Sequence, residues 1–204
     1  MKTAKRTILS IITMMILQLN TLLICQEISR PQSDEYIKGV TALNSGDIEN
    51  AFKYLNTEIE NNPENGYAHC YMSLICSACS DIKLAMQAAN SSIEFIPEND
   101  TEYRSFAFYT RSILWGNLGK WEYAIKDISE SIKINPNDAV SFKTRAEMYL
   151  NTEKYEEAIE DLNNALNIDN KTDITELMLK LLENVPDNEL AEKALNMQNM
   201  ISMQ

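Results

Sequence analysis

Residues 154–168 read KYEEAIEDLNNALNI. Tyr155, Ala158, Ile159, Leu162, Ala165 and Leu166 recur at helical spacing, which lays them on one stripe of an α-helix with polar and charged side chains opposite. Residues 120–134, KWEYAIKDISESIKI, carry nearly the same apolar spacing, with Ala124 in the place of Ala158, 34 positions earlier. The phrase recurs upstream as DIKLAMQAANSSIEFIP around Ala85 and DIENAFKYLNTEIENNP around Ala51, again 34 apart, whereas the middle step from Ala85 to Ala124 is 39. The chain therefore writes one unit four times, with five extra residues between the second and third copies.

A second helical segment precedes each stripe: YIKGVTALNSG, AHCYMSLICSAC, YTRSILWGNLG and FKTRAEMYLNT. Pro63, Pro97 and Pro136 follow the first three stripes, where proline stops a helix, and Asn170 takes that place in the fourth. Matched positions run through all four copies. A small residue stands in each first helix (Gly39, Ser73, Ser112, Ala146), and Ile48, Ile82, Trp121 and Tyr155 lie three residues before the recurrent alanine. Later core positions are Leu55, Ala89, Ile128 and Leu162, then Ile59, Ile93, Ile132 and Leu166. Small side chains let the two helices of a unit approach closely.

Helix, tight turn, helix and proline at a period of 34 resembles the tetratricopeptide repeat. An ordinary helical bundle would need no fixed period. The resemblance covers about residues 32–172 and implies an all-α, right-handed helix-pair solenoid of four repeats with a C-terminal helical cap. Repeats are expected at 32–65, 66–99, 100–138 and 139–172, after a linker at 26–31 and before capping helices at 173–204. Two residues depart from the family pattern. Glu58 stands where Ser92, Ser131 and Ala165 are small, and Glu35 replaces the usual Trp or Leu. The five residues before the third copy are expected to lengthen its first helix around EYRSFAFY.

Composition agrees with helices. The 204 residues are 45% hydrophobic, with only 5 Gly and 5 Pro, so almost no strand is expected. The formal charge of −12 opposes nucleic-acid binding. At the N-terminus, Lys2, Lys5 and Arg6 precede an uncharged run from Thr7 to Cys25, the layout of a secretory signal. Residues 1–25 are accordingly assigned as a signal peptide cut after Cys25. A lipoprotein anchor acylated at Cys25 and an uncleaved membrane anchor are the alternatives, although Ile24 fits a lipobox poorly. Losing Lys2, Lys5 and Arg6 from 18 basic residues against 30 acidic ones takes the charge from −12 to −15. The chain is thus expected to be exported, as a periplasmic, envelope-associated or secreted protein, with membrane association possible through its N-terminus.

Beyond Asn170 the period ends. Asp173 can cap a helix carrying Ile174, Leu177, Leu181 and Leu182, and Asp187 one carrying Leu190, Ala194, Met197 and Ile201. An end repeat leaves an apolar face uncovered, so this pair is expected to close the array. Met197, Met200 and Met203 offer the alternative of an adaptable partner surface.

No catalytic constellation is present: one histidine, His69, with no Gly-rich phosphate loop, no nucleophile elbow and no paired metal motif. His69, Cys70, Cys76 and Cys79 are zinc-ligand residue types, but the first two lie about two turns from the others along one helix, too far to close one tetrahedron. A reactive C-x-x-C belongs at a helix start, whereas Cys76 and Cys79 fall near a helix end. Small cysteines packed between helices are expected, and no cofactor or metal.

What the resemblance implies is a binding surface on the first helices. Its groove positions carry onto Tyr36, Val40, Leu43 and Asn44; Tyr67, Cys70, Leu74 and Ser77; Phe106, Tyr109, Ile113 and Asn117; Val140, Lys143, Glu147 and Asn151. Aromatics gathered there would mark a recognition surface. Lys143 alone matches the family's terminal-carboxylate clamp, so an extended or helical segment held by apolar contacts is expected. The sequence thus predicts a non-enzymatic scaffold binding a protein or peptide in its concave groove. A structural lipoprotein subunit of an envelope assembly, and an accessory component of an enzyme or redox system acting through Cys76 and Cys79, are the rival readings.

Overall fold

The computed structural model describes residues 30–185, together with Glu192. Residues 1–25, with the signal and anchor readings, and the expected helix from Asp187 with Met197, Met200 and Met203, lie outside the described residues. Within them the chain is all-α: α1 (Asp34–Asn44), α2 (Ile48–Asn61), α3 (Gly66–Ala78), α4 (Ile82–Phe95), α5 (Thr101–Asn117), α6 (Trp121–Ile134), α7 (Ala139–Leu150), α8 (Tyr155–Ile168) and α9 (Thr175–Asn184). Among them α1 with α2, α3 with α4, and α7 with α8 pack as pairs.

The recurrent alanines and the residues one turn after them lie in the interior. Ala51, Ala85, Ala124 and Ala158 are all 0% exposed, as are Leu55, Ala89, Ile128 and Leu162 one turn later. Ser73, Ser112 and Ala146 are equally buried, and a Cβ on Gly39 would meet Leu55 Cγ at 2.7 Å. A larger residue at Gly39, Ser73 or Ala146 would push the two helices of its pair apart.

The joint inside each pair also repeats. Gly46, Ser80, Gly119 and Glu153 adopt positive φ (80°, 66°, 67° and 59°). The following amide closes a six-residue ring in every case: Asp47 N to Ala42 O, Asp81 N to Cys76 O, Lys120 N to Trp115 O and Lys154 N to Tyr149 O, each 2.9 Å. This is the Schellman closure, which occupies carbonyls the ending helix leaves open. Asp47 and Asp81 then cap the next helix, accepting from Asn50 N and Leu84 N, whereas Lys120 and Lys154 at the same register make no side-chain cap. The five extra residues enter elsewhere: α5 has 17 residues where α1, α3 and α7 have 11, 13 and 12, so the insertion lengthens a first helix.

The chain divides into two compact units, one ending at Leu114 and one beginning at Trp115, within α5. In the first unit α1 packs on α2, α2 on α3 and α3 on α4. Gly66 opens α3 directly against the end of α4, where a Cβ would come within 2.7 Å of Ile96 N. Arg104 reaches back from α5 to the last carbonyls of α4, donating to Ile93 O (3.1 Å) and Ile96 O (2.9 Å).

In the second unit α6 packs on α7, α7 on α8, and α9 on α7. Leu177, Met178 and Leu181 of α9, with Ile174 before it, join Ala146, Leu150, Ala158, Ile159 and Leu162 in one buried cluster. The helix after Asp173 therefore covers the apolar flank of the fourth pair, as a cap. Asp173 Oδ1 accepts from Thr175 N at 3.0 Å, and that backbone bond holds its carboxyl below the usual carboxylate range.

Candidate functional site

The first helices of the first unit bring four tyrosines together. Tyr36 of α1, Tyr67 and Tyr71 of α3 and Tyr103 of α5 are all buried. Tyr67 and Tyr103 meet edge to face with centroids 4.9 Å apart, Tyr71 and Tyr103 at 6.2 Å, and Tyr36 and Tyr71 at 6.2 Å. Their hydroxyls are partnered inside the layer: Tyr71 and Tyr103 oxygens lie 2.8 Å apart, and Tyr67 donates to Asp100 Oδ2 at 3.0 Å. Burial pushes all four phenols above their ordinary range, so they are neutral at any physiological pH.

The structure places the expected contact residues as follows. Tyr36, Leu43, Tyr67, Cys70, Leu74, Phe106 and Tyr109 are buried rather than exposed in a trough. For Tyr36 and Tyr67 the cover comes from rings on neighbouring first helices, Tyr71 and Tyr103 respectively. Of the expected positions in this unit, Val40, Ser77 and Ile113 are half-buried and Asn44 is exposed. In the second unit Asn117, Glu147 and Asn151 are exposed, and Val140 and Lys143 half-buried. The cap engages two of these: Lys143 Nζ donates to Asp173 O, and Asn151 Oδ1 accepts from Lys180 Nζ at 2.9 Å. Lys143 is therefore held by the chain itself, a second reason against a carboxylate clamp.

Arg30 is the residue that sequence reasoning missed. It lies outside any helix, three residues before the Ser33 N-cap of α1. Its Nε donates to Asp100 Oδ2 (3.3 Å), its Nη2 to Glu102 Oε2 (2.5 Å), and its guanidinium carbon stands 4.5 Å from the Tyr103 ring centroid. Burial alone would pull the guanidinium down, but the bonds to Glu102 and Asp100 outweigh it and hold its pKa above the ordinary value. No local signal could have paired residues 70 positions apart.

Glu58 proves to be a junction. Buried at a position that is small in the other copies, its carboxylate accepts from Ser33 Oγ (2.6 Å), Asn65 Nδ2 (2.7 Å) and Asn62 Nδ2 (3.1 Å). These donors satisfy a buried charge that would otherwise be costly, and they tie the segment before α1 to the α2–α3 turn. Between that segment and the turn lies a cavity of about 750 Å³, with Arg30, Gln32, Glu58, Asn61, Tyr67 and Phe95 among its walls.

Cys70 and Cys76 are buried and free; burial pushes the Cys70 thiol up and takes Cys76 to about 11. Cys79 corrects the expectation of three buried cysteines: it is exposed, at the C-cap of α3. His69 is half-buried, with Nε2 2.8 Å from Pro63 O. Among the described residues no three His, Cys, Asp or Glu side chains are grouped as metal ligands.

Comparison with known proteins agrees with this geometry. Residues 144–172 match the tetratricopeptide repeat. A putative pentatricopeptide repeat-containing protein of Arabidopsis thaliana is 28% identical over 93 residues, which is 46% of this chain but only 12% of that protein. Among solved structures, residues 41 to the end of MamA from Desulfovibrio magneticus RS-1 superpose with a TM-score of 0.67 at 16% identity, covering 85% of this chain and 98% of that one. A tetratricopeptide repeat protein from Parabacteroides merdae gives 0.63 at 19% identity, over 80% and 63%. At such identities the likeness shows the fold: an all-α, helix-pair solenoid of the tetratricopeptide kind.

Proposed function

We propose that this chain is a non-enzymatic scaffold, exported by way of residues 1–25, that holds a partner protein against the face formed by its first helices. The observation that supports the reading is the division of labour between repeated and unrepeated positions. The recurrent alanines and the residues one turn after them are fully interior, whereas Val40, Ile113 and Asn44 keep accessible surface on the first helices of the first unit. Apolar side chains kept at a surface are the usual mark of recognition. The buried tyrosines take the part of a rigid backing for that face rather than of contact residues. The charge of −12 favours a partner that is neutral or basic over nucleic acid.

The test uses a photocrosslinking residue at Val40 on α1, against one at Phe52, an exposed position on α2. A discrete protein adduct from position 40 and none from position 52 is expected in the source organism. Adducts from position 52 alone, or turnover of a substrate by the purified chain, would contradict the reading. Mass spectrometry of the mature N-terminus separates its exported forms: Gln26 as first residue for a cleaved signal, acylated Cys25 for a lipoprotein.

A further inference from the structure

The segment before α1 carries a single cation into a site that has more capacity than one tethered arginine uses. Asp100 is 0% exposed and fixed from below: Tyr67 donates to it, and its Oδ1 accepts from Tyr103 N at 3.3 Å. Glu102 stands two residues along, and Tyr103 supplies a ring face for the flat side of a guanidinium. Two carboxylates therefore face one positive charge. Glu102 Oε1 is also buried without a hydrogen-bond partner among the described residues, so one acceptor of the cup is unspent. The present occupant sits at the start of residues 30–33, which form no helix, and the 750 Å³ cavity opens beside it with room for residues flanking an inserted arginine.

We infer that the cup of Asp100, Glu102 and Tyr103 is a recognition site for an arginine side chain. Arg30 fills it in the unbound chain, and a partner protein enters by presenting an arginine of its own. A fork of two N–H bonds plus a stacked ring selects guanidinium over ammonium, because lysine offers a point charge and no plane. The inference deepens the scaffold reading by naming what the partner must carry, and it rests on that reading.

The experiment uses the full chain with Arg30→Ala, checked for folding by circular dichroism and titrated by calorimetry with acetyl-QEISRP-amide, the peptide matching residues 26–31. Saturable binding is expected, weakened about tenfold or more when the peptide's arginine is replaced by lysine, and lost when it is replaced by alanine. The unaltered chain should bind the same peptide about tenfold more weakly, since its own tethered Arg30 competes at high effective concentration. Glu102→Gln in the Arg30→Ala background should weaken the arginine peptide while leaving the alanine peptide unchanged. Equal binding of all three peptides, or no binding to a folded variant, would overturn the inference; so would loss of the fold on Arg30→Ala, because a cup emptied only by unfolding exchanges nothing. Those failures leave the crosslink at position 40 untouched, so the two readings fall separately.

Discussion

Arg145 grips both oxygens of Asp161 with one edge of its guanidinium, Nε to Oδ2 at 2.7 Å and Nη2 to Oδ1 at 2.8 Å, with Nη1 on Ser129 Oγ at 3.1 Å. Asp161 is 2% exposed, so Arg145→Ala would strand a buried carboxylate and should cost about 3–5 kcal/mol in urea denaturation. Arg145→Lys should fall between, having lost the fork. Burial pushes the Asp161 carboxyl up against the pull of Arg145. The folded state therefore binds that proton more tightly than the unfolded state, and more so once Arg145 is gone. The gap between wild type and Arg145→Ala should narrow as pH falls through the carboxylate range. A gap that widened, or a loss below about 1 kcal/mol at neutral pH, would assign the pair to the weak surface class.

Gly66→Ala should destabilise although alanine is the better helix former. The added methyl would meet backbone, Ile96 N at 2.7 Å and Phe95 C at 2.9 Å, which cannot rotate aside. Parting α3 from the end of α4 should cost about 1–3 kcal/mol. A stability equal to wild type would show that this approach relaxes freely.

Leu181 is 0% exposed in the cluster that α9 shares with α7 and α8. Leu181→Ala should cost about 3 kcal/mol, and the fluorescence of Trp115 and Trp121, both in the second unit, reports it. A near-neutral result would mean that α9 only rests on the repeats.

The repeated joint can be improved at two places. Lys120→Asp would give α6 the side-chain cap that Asp47 and Asp81 provide for α2 and α4, and Glu153→Gly would relieve a left-handed position that glycine holds in two other copies. Each should raise stability by about 1 kcal/mol, read as an increase in the urea midpoint. Neutral or negative effects would show that the two joints are already compensated.

Among Cys70, Cys76 and Cys79, only Cys79 should react quickly with a maleimide in the folded chain, as peptide mapping would show. Cys70 and Cys76 should react after denaturation, because burial keeps both as thiols. Fast labelling of Cys76 would revive a redox role for the C-x-x-C pair.

Much of the fold was legible because it is written in residues that nothing else constrains. A methyl fits at Ala51, Ala85, Ala124 and Ala158 and little else does, so the interior announces itself by recurrence. The lengthened α5 could be read for the same reason, as five residues that break the period before an amphipathic run. The recognition face was less legible. A period tells which helix a tyrosine belongs to, but not whether its ring reaches the next helix, as those of Tyr36 and Tyr67 do. Arg30 with Asp100, and Glu58 with Ser33, Asn62 and Asn65, depend on where an unrepeated segment happens to lie. Glu58 showed in the sequence only as a misfit, and that misfit marked the junction.

The left-handed joint, identical in all four pairs while the spacing between pairs changes, separates what this chain can vary from what it cannot. Five additional residues amount to about 7.5 Å of helix, a little under one and a half turns, and they were accommodated where one pair hands over to the next. Growth by lengthening a leading helix leaves every hinge-like closure and every alanine seat in place. Loops grafted between pairs should thus be tolerated far better than single residues inserted inside one, which makes the boundaries near Pro63, Pro97 and Pro136 natural seams for building longer or re-targeted versions of the molecule.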